Sequence, residues 1–180
     1  MNTEYKPSVS RMIGLLDKPA LLLWANKQGL LGKKIDYIRD KSQKRGTSCH
    51  DEVEQWLLNK KPMTDEKQQA DCAAFFADKE IMSVEKSIET EHFVGRLDLK
   101  FKHKGQVWIC DMKTKKSKIY LENILQLVAY KMADGCDRMC VLSIPDFKVL
   151  QVNVLDSKPY EEIIVCLSKI CKLKKQLGFE

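Results

Sequence analysis

The apolar positions switch between two periods along the chain. Over residues 1–80 they recur at helical spacing, in several pieces. Pro19 opens one predicted helix, and Gly29 and Gly32 mark a break after it. Gly46-Thr47-Ser48 precedes another, with Val53, Trp56, Leu57 and Leu58 as its apolar side. Pro62-Met63-Thr64 interrupts it, and Thr64 is placed to cap a third helix that holds Ala70, Ala73, Ala74 and Phe75. The pattern then alternates, which predicts strands over 81–90, 94–101 and 106–113. Helical spacing returns over 119–133, with Leu121, Leu125, Val128 and Met132 in one stripe. Strands over 138–144 and 149–154 flank Pro145-Asp146, and Ser157 with Pro159 starts a last helix that runs to about Leu177. The order predicts an α/β fold with a mixed central sheet flanked by helices. Its helical N-terminal part covers 1–80, its sheet core and last helix cover 81–180, and its 180 residues suit one domain.

Composition narrows the setting. The longest unbroken apolar run, Ala20 to Ala25, is well short of the ~20 residues that span a bilayer, so no membrane partner is expected. The first residues, Met-Asn-Thr-Glu-Tyr-Lys, show neither an apolar signal core nor an arginine-rich transit pattern, which gives a cytoplasmic expectation (host cytoplasm for a viral protein). Lysine and arginine number 31 against 25 acids, a net charge of +6 that fits a polyanionic partner. Seven scattered cysteines, an odd count, read as free buried thiols rather than a disulfide framework.

The informative segment runs from Gly95-Arg96-Leu97-Asp98 through Lys104-Gly105 to Asp111-Met112-Lys113. If Lys104-Gly105 is a two-residue hairpin turn, Phe101 faces Trp108, Leu99 faces Cys110 and Leu97 faces Met112, all apolar pairs on one face. The same register sets Asp98 opposite Asp111 on the other face. Like charges across a strand pair repel, and a divalent cation with a preference for hard oxygen ligands, Mg²⁺ or Mn²⁺, would explain them. Lys113 follows Asp111 by two residues and shares its face, where an ammonium can orient a water and offset phosphate charge. A solvated face with ordinary ion pairs is the plainer explanation of a lone D-x-K tripeptide. The Gly95-x-x-Asp98 run one hairpin strand earlier favours the metal site. His50, four residues before Glu54 on one helical face, can add a nitrogen ligand. Gln126 and Tyr130, also four apart and on the side of Asn123, form a polar face opposite the apolar stripe.

Taken in order, His50, Gly95-Arg96-Leu97-Asp98, Asp111-Met112-Lys113 and Gln126-x-x-x-Tyr130 resemble the motifs of the PD-(D/E)XK nuclease superfamily, in its RecB-like exonuclease branch. Asp111-Met112-Lys113-Thr114 followed by Asn123 and Gln126 is similar to that branch in particular. Pro7-Ser8-Val9-Ser10, Pro19, Trp24, Gly29 and Lys44-Arg45-Gly46-Thr47 are similar to small phage exonucleases and the mitochondrial genome maintenance exonuclease. The resemblance implies a restriction-endonuclease-like sheet and metal-dependent phosphodiester hydrolysis that leaves a 5′-phosphate. It implies that His50, Asp98, Asp111 and the carbonyl of Met112 bind Mg²⁺ or Mn²⁺, that Lys113 positions the attacking water, and that Gln126 and Tyr130 support site and strand. Glu85 aligns with an acid found near some such sites, with a solvent-facing glutamate as the alternative. Relatives that hold an iron–sulfur cluster use one cysteine before the histidine motif and three near the C-terminus. Here no cysteine precedes Cys49, and Cys136, Cys140, Cys166 and Cys171 fit no familiar spacing, so no cluster is expected and they read as buried thiols.

The leading expectation is a DNA exonuclease in recombination, repair or replication, acting on single-stranded or end-bearing DNA. Arg96, Lys100, Lys115, Lys116 and Lys118 are candidates to track phosphates, each with a solvated surface lysine or arginine as its alternative. A structure-specific endonuclease and a non-catalytic nucleic-acid-binding accessory module are the competing functions.

Overall fold

Alternation over the middle of the chain builds a sheet, and the two helical regions cover its two faces. The computed structural model describes residues 4–114, 118–144 and 146–179. Lys115, Lys116 and Pro145 lie outside the described residues, as does the side chain of Arg45. The elements are α1 (Val9–Ile13), α2 (Pro19–Leu30), α3 (Ile35–Asn59), α4 (Glu66–Phe76), β1 (Glu80–Glu89), β2 (Val94–His103), β3 (Gln106–Lys113), α5 (Leu121–Asp134), β4 (Arg138–Ser143), β5 (Lys148–Val152) and α6 (Lys158–Gln176). The five-stranded sheet has the order β1-β2-β3-β4-β5; β3 and β4 are parallel, joined through α5, and the other pairs are antiparallel. This is the mixed α/β architecture expected from the sequence.

Each face of the sheet buries its own core. Leu97, Ile109, Met139 and Val141 pack with α1, α5 and α6. Leu99, Phe101, Cys110, Met112, Cys140 and Leu142 pack with α4 and the C-terminal half of α3, which presents Val53 and Leu57. The turn expected at Lys104-Gly105 is present, with φ of 49° and 78°, the pair of positive angles that a tight right-twisting hairpin requires.

Four local readings change. α3 runs unbroken through Gly46-Thr47-Ser48 rather than starting after them, and an added Cβ at Gly46 would meet nothing within 4 Å. Asp65, not Thr64, caps α4 by accepting the Gln68 N–H, while the Thr64 hydroxyl donates to Glu52. Ser157 stands at the start of α6 but leaves the helix amides alone, its hydroxyl donating to Glu161. Leu97 falls in the opposite core from Leu99 and Met112, because the β2–β3 ladder is regular only from His103–Gln106 to Leu99–Cys110.

α2 contributes no buried residue, and Leu21, Leu22 and Leu23 on it are exposed. The helical N-terminal part is therefore not uniformly a layer of the core.

The glycines give a paired test. A Cβ at Gly95 would lie 3.0 Å from Val9 Cγ2, where α1 crosses β2. Gly95→Val should cost ~1–3 kcal/mol by overpacking, whereas Gly46→Ala should stabilise by about 0.5–1 kcal/mol through reduced chain entropy in α3. Chemical denaturation of both variants checks this; equal effects of one sign would contradict it.

Candidate metal centre

The site lies where β2 leaves β3. Beyond Leu99–Cys110, β3 continues on β4 alone, pairing Met112 with Leu142 and Lys113 with Ser143. The Met112 N–H that would have continued the ladder instead donates to Asp98 Oδ2 at 2.8 Å. On the same residue, the Met112 carbonyl accepts a hydrogen bond from His50 Nε2 at 3.0 Å. α3 delivers that imidazole because Val53 and Leu57 fix the helix against the sheet, leaving His50 half-buried at the edge of the same packing.

Glu85 completes the group. It sits inside β1 with φ of 48°, a left-handed conformation rare for a non-glycine residue and most often found where a site demands it. Its carboxylate is buried, accepts from Arg96 Nε at 2.6 Å and lies 3.7 Å from His50 Nδ1. It is not a solvent-facing glutamate. His50, Glu85 and Asp98 each offer a ligand atom, and these atoms lie within 4.8 Å of one another.

Asp111 stands outside that trio but close enough for its charge to act on Asp98. It is fully buried; Oδ1 accepts from Lys113 Nζ at 2.7 Å, and Oδ2 has no hydrogen-bond partner among the described residues. A buried carboxylate oxygen without a donor is costly and calls for a ligand or a proton. Gln126 Nε2 donates to the Tyr130 hydroxyl at 2.8 Å. Both belong to a cleft of about 700 Å³ that is also lined by His50, Glu85, Arg96 and Asp98. They are not an ordinary solvated helix face, since Tyr130 and Asn123 are buried.

Electrostatics follow from this crowding. Burial, then the charge of Asp111, pushes the Asp98 carboxyl up to about 7. Burial likewise raises Asp111, against the pull of Lys113. For His50, burial favours the neutral ring, but the bond to Glu85 and the charges of Asp98 and Glu85 outweigh it and raise its value. Burial and the nearby Asp98 charge raise the Tyr130 phenol, which therefore keeps its proton and stays a donor. The donor set of one imidazole, three carboxylates and a main-chain carbonyl fits a divalent cation of the Mg²⁺ or Mn²⁺ type.

Other candidates lie elsewhere. Lys100 is half-buried and donates to the Asp134 carbonyl and carboxylate at 2.7 and 2.9 Å, so it is a structural cation rather than a phosphate tracker. Arg96 reaches the cleft with an exposed guanidinium, and Lys118 is exposed. The seven cysteines are free thiols, but the expected burial fails for Cys166, which is exposed on α6, and Cys136 is only partly buried. The signal missed in the sequence is Glu85, because nothing in its neighbours announces a left-handed backbone.

Stability should carry the mark of the raised acids. The folded protein holds the Asp98 proton more tightly than the unfolded chain, whose carboxyl titrates near 3.8, so this contribution is complete below 3.8 and lost as pH rises through about 7. His50, raised above 6.5, acts with the same sign. In EDTA, unfolding free energy should fall from about pH 5 to about pH 8, by up to ~1.4 kcal/mol per unit for each group. Asp98→Asn keeps the acceptor for Met112 N–H and should flatten the slope. An unchanged slope in that variant would mean that Asp98 is not the raised acid.

Comparison with known protein families and with curated proteins finds no match. Among solved structures, the crystal structure of SSO0001 is similar, at 14% identity and a TM-score of 0.47, covering 98% of this chain and 79% of that one. A likeness at that level leaves the chemistry to be argued from the site itself.

Proposed function

We propose that the chain is a metal-dependent deoxyribonuclease of the PD-(D/E)XK type, hydrolysing phosphodiester bonds of single-stranded or end-bearing DNA as an exonuclease in recombination, repair or replication. The observation that carries the reading is the convergence of His50, Glu85 and Asp98 from three elements beside the buried Asp111–Lys113 ion pair. A purely structural cluster would have no need to bury an acid with an unpartnered oxygen next to two more acids.

On this reading His50, Asp98, Asp111 and the Met112 carbonyl hold Mg²⁺ or Mn²⁺, with Glu85 added to the set proposed from sequence. The cation supplies Lewis-acid stabilisation of charge that develops on the phosphoryl oxygens. Lys113, half-exposed and tethered by Asp111 Oδ1, orients the attacking water and faces the growing negative charge. Tyr130 and Gln126 offer donors to the strand along the cleft, and Arg96 meets its phosphates. Attack on phosphorus with departure of the 3′-oxygen leaves a 5′-phosphate. The net charge of +6 favours a polyanionic substrate.

Cleavage of end-labelled DNA in Mg²⁺ or Mn²⁺ tests the reading. Asp98→Ala and Asp111→Ala should abolish cleavage, as should EDTA on the parent chain. Lys113→Ala should lose activity by a factor on the order of 10²–10³ or more, while its affinity for single strands, read by fluorescence anisotropy in Ca²⁺, changes little. Normal cleavage by Asp111→Ala would remove the site. Lys113→Ala that cleaves normally but binds far more weakly would favour the accessory-module reading.

The exonuclease assignment makes a separate expectation: covalently closed single-stranded circles should survive conditions that degrade linear strands. Circles cut as fast as linear DNA would make the enzyme an endonuclease.

A further inference from the structure

Helix α6 has two apolar stripes and the core uses one. Ile164, Leu167, Ser168 and Cys171 are buried, on the side packed by α1 and α5. Ile163, Cys166, Ile170, Leu173 and Leu177 are exposed, from 36% at Ile163 to 70% at Leu177. Their steps of three, four, three and four residues are the a/d spacing of a coiled-coil seam. At 3.6 residues per turn this seam lies roughly 130° around the helix from the buried stripe, so packing within the domain does not account for it. Scattered exposed apolar residues are ordinary, but five in heptad register on one helix are not.

We propose that this seam joins two copies of the chain, α6 packing antiparallel on α6 about a twofold axis. The charge along the helix selects both occupant and direction. The first turns carry Glu161 and Glu162 and the last turns carry Lys169 and Lys174, whereas Lys172 and Lys175 are engaged by Glu4 and the Tyr5 ring. An antiparallel copy brings the acidic start of one helix level with the basic end of the other and opposes the two helix dipoles. A parallel copy would set Lys169 against Lys174 across the seam and stack like ends together.

Full-length antiparallel overlap places Ile163 against Leu173, Cys166 against Ile170 and Pro159 against Leu177 of the other copy, and by symmetry the reverse. Such an interface is isologous, so it closes at two chains and leaves no seam for further growth. It lies on α6, away from the cleft lined by His50, Glu85 and Asp98, and does not depend on the nuclease reading.

Sedimentation velocity of the full chain tests the proposal. Across ~1 to ~100 µM, the range expected for an interface at the low end of the stable size class, the mass should move from 20.8 kDa toward twice that value. Ile170→Glu, at an exposed position, should stay monomeric throughout with an unchanged melting temperature, and Leu173→Glu should do the same. Under mild oxidation, Ile170→Cys should give a disulfide-linked dimer whose bridge joins Cys166 of one copy to the substituted position of the other. A parent chain that stays at 20.8 kDa at the highest concentration, or a dimer untouched by both glutamates, overturns the proposal. A monomer whose seam instead binds phosphatidylserine–phosphatidylcholine vesicles overturns it too. A linked parent dimer bridged Cys166 to Cys166 overturns the antiparallel alignment.

Discussion

Met112 gives both of its backbone groups away from the strand ladder: its N–H goes to Asp98 Oδ2 and its carbonyl takes the His50 Nε2–H. Its side chain is fully buried in the core under α3 and α4, and its backbone is held in register by Leu142 on the parallel β4. One residue thus ties a helix, the strand that departs and the strand that continues to a common point. Asp98 is aimed because β2 ends its pairing there, and His50 is aimed because α3 rests on the same core. Glu85 and Asp111 then arrive from the strands on either side of β2, and the cleft opens over them.

The arrangement concentrates negative charge where solvent cannot dilute it. Asp111 is fully buried, Asp98 nearly so, and Glu85 has only Arg96 and a distant His50 nitrogen as partners. Lys113 offsets one carboxylate oxygen of Asp111 and leaves the other without a donor among the described residues. Protons can relieve the repulsion, which is why the Asp98 and His50 values rise. A divalent cation would relieve it more fully and would displace those protons. The fold accepts this cost because both cores are otherwise apolar and well filled.

Much of this was legible in the sequence, and the failures are local. Period-two alternation gave the strands, and the single glycine at the turn gave the hairpin register from His103–Gln106 to Leu99–Cys110. Extending that register carried Leu97 to the wrong face, because a side-chain acceptor on Asp98 replaces the ladder bond and no hydrophobic pattern signals such a substitution. Gly46 read as a boundary, yet α3 passes through it with open space around it. His50, Asp98, Asp111, Lys113, Gln126 and Tyr130 were found by spacing and motif. Glu85 required the backbone, since its left-handed φ turns toward His50 a residue that simple alternation does not single out.

The central claim is that the carboxylates around Met112 form a divalent-cation site whose place protons hold in the metal-free protein. Calorimetric titration of Mn²⁺ into the full chain, in two buffers of different ionisation enthalpy near pH 7, reads both binding and proton release. The account predicts binding in which protons leave as the ion enters, tighter at higher pH and abolished by Asp98→Asn. No binding at millimolar Mn²⁺, or binding that releases no protons and survives Asp98→Asn, would contradict it.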